Sequence, residues 1–173
     1  MAINIRLGDI TKLKVDAIVN AANESLLGGG GVDGCIHEAA GPKLLEECKK
    51  LGGCETGKAK MTKGYNLPAK HIIHTVGPVY NIRKREDCRA ALINCYINSL
   101  KLAKENKLHS IAFPSISTGM YHYPKYEAAC IALSTVKTWL RHNNKYSMDV
   151  TFCCFDELSY NLYTNLAKEY DII

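Results

Sequence analysis

Short apolar runs that read as strands alternate with longer segments that read as helices along almost the whole chain. This alternation limits the possible folds more than any other feature. The predicted strands are Ile3–Leu7, Asp16–Asn20, Ala59–Thr62, His71–Val76, Ser110–Pro114 and Asp149–Cys154, and the predicted helices are Val32–Ala40, Pro42–Leu51, Glu86–Asn106, Pro124–Asn143 and Glu157–Tyr170. In the third helix Ala91, Leu92, Cys95, Tyr96, Ser99, Leu100 and Ala103 recur near a 3.6-residue period, with Ser99 the weak member. Pro42 and Pro124 suit first helical turns, and Asp156 suits an N-cap. Alternation of this kind belongs to an α/β sheet with helices on both faces. Ligands of such sheets sit beyond the carboxyl ends of the strands, here the segments after Asn20, Pro114 and Cys154.

Composition narrows the class further. The 173 residues match one domain, and no linker, repeat or low-complexity tract divides them, so a single domain over residues 1–173 is expected. Hydrophobic residues at 47% and charged residues at 23% exclude a disordered, collagen-like or coiled-coil chain. No apolar run approaches the ~18 residues of a membrane span. The start, Met1-Ala2-Ile3-Asn4-Ile5-Arg6, alternates like a strand and lacks a basic-then-apolar signal, so a soluble cytoplasmic protein is expected. Lys and Arg total 22 against 17 for Asp and Glu, giving a net charge of +5 that favours anionic ligands without identifying one. The densest basic stretch, Arg83–Arg89, contains Glu86 and Asp87 and reads as a solvated helix start rather than a nucleic-acid patch. The eight cysteines include no Cys-x-x-Cys, and no cysteine pair stands near His71 and His74 at ligand spacing. Buried free thiols are expected, with no metal and no cofactor.

Two loops stand out. Asn20-Ala21-Ala22-Asn23 leads to four consecutive glycines, Gly28–Gly31, and a helix follows at once. Glycines free the backbone to turn its amides toward a ligand, and a helix start adds unpaired N–H groups, which together suit a phosphate. No Walker loop or dinucleotide fingerprint is present. The amides of Asn20 and Asn23 suit sugar hydroxyls, and equally suit turns and caps. Asp33 in the first helical turn reads either as a dipole-compensating cap or as a carboxylate able to orient a water. His37, four residues on, shares its face and reads either as a packed residue or as its assistant. The second loop, Ser115-Ile116-Ser117-Thr118-Gly119-Met120-Tyr121-His122-Tyr123, also suits a phosphate, so the two loops could clamp a diphosphate. Its hydroxyls lack a Gly-x-Ser-x-Gly setting for a nucleophile.

These residues resemble the macrodomain family, and its MacroD-type branch most of all. The resemblance rests on Gly8-Asp9-Ile10-Thr11, on Val15–Asn23, on Gly28–Gly34 with Ile36-His37, and on Ala40-Gly41. It rests also on Gly52–Gly57, Gly64–Ala69, His71–Pro78 and Pro114–Gly119. It implies a three-layer α/β/α sandwich with a central mixed six-stranded sheet. It implies binding of ADP-ribose, and hydrolysis of ADP-ribose ester-linked to a protein acidic side chain or to acetate. Residue by residue, it implies that Asp9 and the Ile10 backbone meet adenine and that Phe155 covers it. Asn23, helped by Asn20 and beside Ala22, would hold the distal ribose. Gly30, Gly31, Val32 and the loop Ser115, Ile116, Ser117, Thr118, Gly119, Met120, Tyr121 would hold the diphosphate and shape the ribose pocket. Asp33 would be the catalytic carboxylate, with Asn23 and His37 assisting. One departure is His122, which stands where the family loop commonly carries glycine; if that glycine's conformation matters, Tyr121 would be displaced.

The expected function is therefore a hydrolase that removes mono-ADP-ribose from acidic side chains and deacetylates O-acetyl-ADP-ribose. Alternatives are a non-enzymatic ADP-ribose reader and an ADP-ribose-1″-phosphate phosphatase. Having Asp33 as well as Asn23 favours the enzyme, because a reader needs no carboxylate there. The expected partners are ADP-ribose, O-acetyl-ADP-ribose and mono-ADP-ribosylated proteins, with neither membrane nor specific nucleic acid. A monomer is expected.

Overall fold

The computed structural model describes residues 2–173. Its strands are β1 (Ala2–Leu7), β2 (Ala17–Ala22), β3 (Ala59–Lys63), β4 (His71–Val76), β5 (Ser110–Phe113) and β6 (Asp149–Cys154). Its helices are α1 (Gly31–Ala40), α2 (Pro42–Leu51), α3 (Arg85–Glu105), α4 (Lys125–His142) and α5 (Glu157–Glu169). The strands make one sheet in the order β1-β6-β5-β2-β4-β3. Every neighbouring pair is parallel except β3 with β4. That pair is joined by seven residues with no helix, too short a link to bring the chain back to the starting edge. The sheet is thus mixed and six-stranded, as the resemblance implies.

Side chains of a strand alternate between faces, and each face has its own core. Val19, Ile73, Ile111, Phe113, Val150 and Phe152 pack with Leu92 and Tyr96 of α3, Leu133 of α4 and Tyr163 of α5. Ile18, Ala22, Ile72, Val76 and Ala112 face the other way, against Ile36 of α1 and Leu44 and Cys48 of α2. Helices α1 and α2 therefore cover one face and α3, α4 and α5 the other.

Most predicted boundaries hold to within a residue or two, and two differences carry physical content. Strand β2 runs on to Ala22, so Asn20 lies inside the strand, wholly buried, rather than at its end. Pro124 caps α4 instead of filling its first turn, with an extended ψ of 126° and its carbonyl accepting from Ala128 N at 2.9 Å. Asp156 caps α5 as predicted, its Oδ1 accepting from Ser159 N at 2.8 Å. The basic stretch is an exposed 3-10 turn, Ile82–Lys84, running into α3, where Arg85 pairs with Glu127 at 3.2 Å. All eight cysteines are free thiols; six are buried, Cys130 is half-buried and Cys35 is exposed.

Because β1, β6, β5, β2 and β4 run parallel, their carboxyl ends share one edge of the sheet. The aromatic cluster beneath holds that edge in place. The Phe152 ring lies 6.0 Å from Phe113, 6.4 Å from Tyr96 and 5.4 Å from Tyr163, centroid to centroid. Phe152→Ala is expected to lower the unfolding free energy by about 3–5 kcal/mol, since the site cannot collapse around the void. Urea denaturation measures this, and a loss below about 1 kcal/mol would refute the assignment of this cluster as the core.

Candidate functional site

The glycine loop is held from within. After β2, Asn23 Oδ1 accepts from Ser25 N at 3.1 Å and Ser25 Oγ at 2.6 Å, while its Nδ2 donates to Gly28 O at 3.0 Å. Asn23 thus makes the turn and ties the loop. Gly28 and Gly31 take φ values of 96° and 57°, which side chains oppose. Gly30 caps α1 and offers no side chain, and Gly34 N → Gly30 O, at 3.3 Å, opens the helical ladder. The N–H groups of Gly31, Val32 and Asp33 precede that ladder, at the positive end of the helix. A Cβ on Gly34 would stand 2.6 Å from Gly29 O, so the loop lies flat on the first turn of α1.

Asp33 points back under this loop. It is buried at 4% exposure, and its Oδ1 accepts from Asn20 Nδ2 at 2.8 Å. His37 Nε2 lies 3.4 Å from the same oxygen. Oδ2 lies directly under the glycine loop: a Cβ on Gly29 would meet it at 3.1 Å and Asn23 Nδ2 at 3.3 Å. Burial raises the Asp33 pKa, while the Asn20 hydrogen bond and the nearby His37 pull it down by less. The carboxylate therefore has one anchored oxygen and one oxygen turned to the loop.

Asn20 acts on the site through Asp33, for its side chain is too deep to touch a ligand. Its Nδ2 also lies 3.1 Å from Nδ1 of His74, the residue directly opposite it in the β2–β4 register. His74 Nε2 lies 2.9 Å from Thr62 Oγ1 and 4.0 Å from Cys48 Sγ. His74 is wholly buried, and desolvation drives its pKa down to about 3. Sequence reasoning weighed His74 only as a zinc ligand. Its signal was parity: it shares a face of β4 with Ile72 and Val76, and that face meets the helix carrying Asp33.

The second loop lies beside the first. A Cβ on Gly30 would stand 3.4 Å from Met120 Sδ. Ser117 is buried with φ 66° and donates to Pro78 O at 2.9 Å. Thr118 Oγ1 donates to Ser115 O at 3.1 Å and Ser115 Oγ at 2.8 Å. These hydroxyls brace the loop. A Cβ on Gly77 would collide with Ser117 Oγ, so the strand β4 exit also presses on the loop. His122 itself takes the left-handed φ of 58°, and its N–H donates to Gly119 O at 3.1 Å. A left-handed backbone is thus adopted here without glycine, and Tyr121 O accepts from Tyr80 N at 2.8 Å. Ile116 and Ala22 are buried, which leaves only their backbones for a ligand.

The other end of the sheet edge carries Asp9, Ile10 and Phe155. Gly8 N donates to Cys154 O at 2.9 Å and so holds the β1 and β6 exits together. Asp9 Oδ1 accepts from Thr11 N at 2.9 Å and Thr11 Oγ1 at 2.7 Å, which lowers its pKa. Phe155 is 87% exposed. The expected site residues thus form a row along the strand ends rather than one deep cavity. A hollow of about 740 Å³ continues the row past β4, lined by Pro78, Val79, Tyr80, Ile82 and Lys84 among others. Among the described residues, no three His, Cys, Asp or Glu side chains group to hold a metal ion.

The buried pair makes opposite contributions to stability. His74 has a native pKa of about 3 against an ordinary 6.5, so between those values the unfolded chain binds more protons. Its contribution is complete above pH 6.5 and is lost on acidification at up to about 1.4 kcal/mol per pH unit. Asp33, raised, works in reverse and costs stability as pH climbs from 3.8 to its native value. Urea midpoints at pH 7, 6 and 5 should fall with acidification, and His74→Gln should flatten the fall. Parallel curves would contradict the neutral buried imidazole.

The chain matches the Macro domain family model over residues 19–132. It is 56% identical over 168 residues to the Mus musculus protein called ADP-ribose glycohydrolase MACROD2, covering 97% of this chain and 35% of that protein. It spans well under half the length of the MACROD2 relatives that it matches. The Macro domain-containing protein CT2219 of Chlorobaculum tepidum is 59% identical over 155 residues, covering 90% of this chain and 89% of that one. A mutant of the Oceanobacillus iheyensis macrodomain solved with ADPR superposes with a TM-score of 0.92 at 46% identity, covering 96% of this chain and 92% of that one. With a family model matched over residues 19–132 and relatives more than half identical over nine-tenths or more of its length, the chain belongs to the Macro domain family.

Proposed function

We propose that this chain binds ADP-ribose and hydrolyses its esters, releasing mono-ADP-ribose from acidic protein side chains and acetate from O-acetyl-ADP-ribose. The observation that carries the reading is Asp33: a buried carboxylate with one oxygen anchored by Asn20 and the other turned toward the glycine loop. The relatives named ADP-ribose glycohydrolase and the ADPR-bound macrodomain support it.

The diphosphate would lie across the α1 start, where the N–H groups of Gly30, Gly31 and Val32 and the loop Ser115–Tyr121 offer donors to its charge. Adenine would extend toward Asp9, Ile10 and Phe155. The distal ribose would sit by Asn23, over Asp33. A water between Asp33 Oδ2 and the ester would attack directly, with Asp33 orienting it or taking its proton and no covalent enzyme intermediate. Positioning supplies much of the rate, and general-base help adds about 10²–10⁴-fold. His37, 3.4 Å from Asp33, would favour the ionised form of the carboxylate. The function needs no metal or cofactor in this scheme, and we place it in a cytoplasmic monomer.

The test is a mass-spectrometric time course on a protein mono-ADP-ribosylated at glutamate or aspartate. Wild type should release free ADP-ribose, and Asp33→Ala should do so about 10²–10⁴-fold more slowly while keeping its ADP-ribose affinity within a few-fold. Binding without release by wild type would make the domain a reader instead. A second variant tests the loop. Gly34→Ala drives Gly29 off the helix and should weaken ADP-ribose binding by at least about tenfold, ~1.4 kcal/mol, by calorimetry; unchanged affinity would remove the glycine loop from the binding site.

A further inference from the structure

The mechanism above leaves His74 unused, yet Asp33 depends on it. Asn20 has one NH₂ group and two acceptors facing it, Asp33 Oδ1 at 2.8 Å and His74 Nδ1 at 3.1 Å. Nδ1 accepts only when the imidazole proton sits on Nε2. That proton has its own acceptor in Thr62 Oγ1 at 2.9 Å, and the Thr62 hydroxyl passes its hydrogen to Lys63 O at 3.2 Å. Every donor therefore has a direction. The Asn20 Oδ1 atom is buried and has no partner. An amide with an orphaned oxygen gains by rotating half a turn, but here rotation would set that oxygen against the carboxylate and Nδ1 together. A doubly protonated imidazole would reverse the preference, draw Oδ1 to itself and strip Asp33 of its donor.

We propose that His74 is a positioning residue for the hydrolysis: as the neutral tautomer protonated on Nε2, it locks the Asn20 amide with its NH₂ toward Asp33 and so keeps that carboxylate ionised and aimed at the glycine loop. The inference rests on the role given to Asp33 under the proposed function. Burial keeps the imidazole neutral, with a pKa of about 3. The titratable groups facing it are Asp33 and His37 on α1 and Cys48 on α2, whose thiol is pushed up to about 11. Strand β2 brings Asn20, and β3 brings Thr62 together with Lys60, the residue directly opposite His74 in the β3–β4 register, whose ammonium donates to Leu51 O and Gly53 O and is the same in wild type and variants. His37 is present in wild type and variants alike, so it does not distinguish them.

The experiment compares wild type, His74→Leu and His74→Asn as the full chain. It reads kcat against pH, ADP-ribose affinity, and the titration of the Asp33 carboxyl carbon by NMR. Leucine removes the acceptor, whereas asparagine returns an oxygen close to the Nδ1 position. His74→Leu should move the acid limb of kcat and the carboxyl titration upward together by about one pH unit. At neutral pH kcat should fall about tenfold, with ADP-ribose affinity unchanged within about threefold, and His74→Asn should recover most of the loss. An unmoved carboxyl titration in His74→Leu overturns the proposal, and so does a His74→Asn variant no better than leucine. If His74→Leu fails to fold, Thr62→Val removes the Nε2–H acceptor and should shift the titration the same way; no shift overturns the proposal. A wild type that binds ADP-ribose without releasing it from protein defeats the hydrolase reading instead, and the carboxyl titration still decides whether His74 governs Asp33.

Discussion

Burying an ionised carboxylate is costly unless donors meet it, and Asp33 is nearly closed off from water. The hydrogen bond from Asn20, at 2.8 Å, makes that burial tolerable. Asn20 in turn is held by the strand beside it, because β2 and β4 pair with Asn20 opposite His74. The register of two central strands thus sets the electrostatics of a side chain on α1. A slip of one residue would turn Asn20 to the face covered by α3 and α4 and leave Asp33 without its donor.

The order of the strands spreads the site along a line. From β1 to β2 there are three strand spacings, about 14 Å, with Asp9 and Phe155 at one end and the glycine loop at the other. Between them the exit of β5 supplies the second loop. This loop is tied to the β4 exit by Ser117 with Pro78 and by Tyr80 with Tyr121. Five parallel strand ends therefore act as a rack on which separate loops are hung at fixed intervals. In the proposed mode an elongated ligand would meet several short, rigid contacts in series.

The alternation of elements, the two-sided helical cover and the placement of both loops at strand ends were legible in the sequence, because each leaves a periodic or compositional mark. The mixed sheet and the individual roles came only with the family resemblance. The error at Asn20 has a physical source. Asparagine disfavours strands, so the end of β2 reads as a turn two residues early. The structure keeps it in the strand, where its NH₂ group finds Asp33 Oδ1 and His74 Nδ1. His74 was hidden for a related reason: its partners, Asn20, Thr62 and Cys48, lie 54, 12 and 26 residues away along the chain. His122 shows the converse, a departure from the family pattern that the backbone absorbs by taking the glycine conformation itself.

Phe155 stands almost free of protein contacts, 87% exposed at the exit of β6. An apolar ring left in water is a reservoir of binding free energy, worth about 25 cal/mol for each Å² that a flat partner covers. The polar contacts at the glycine loop lack this property. The two ends of the row therefore differ in thermodynamic character: covering Phe155 lowers the heat capacity, while the amides at α1 contribute mainly enthalpy. In the proposed binding mode the balance between them would shift with temperature, so the end of the ligand gripped more firmly would change on warming.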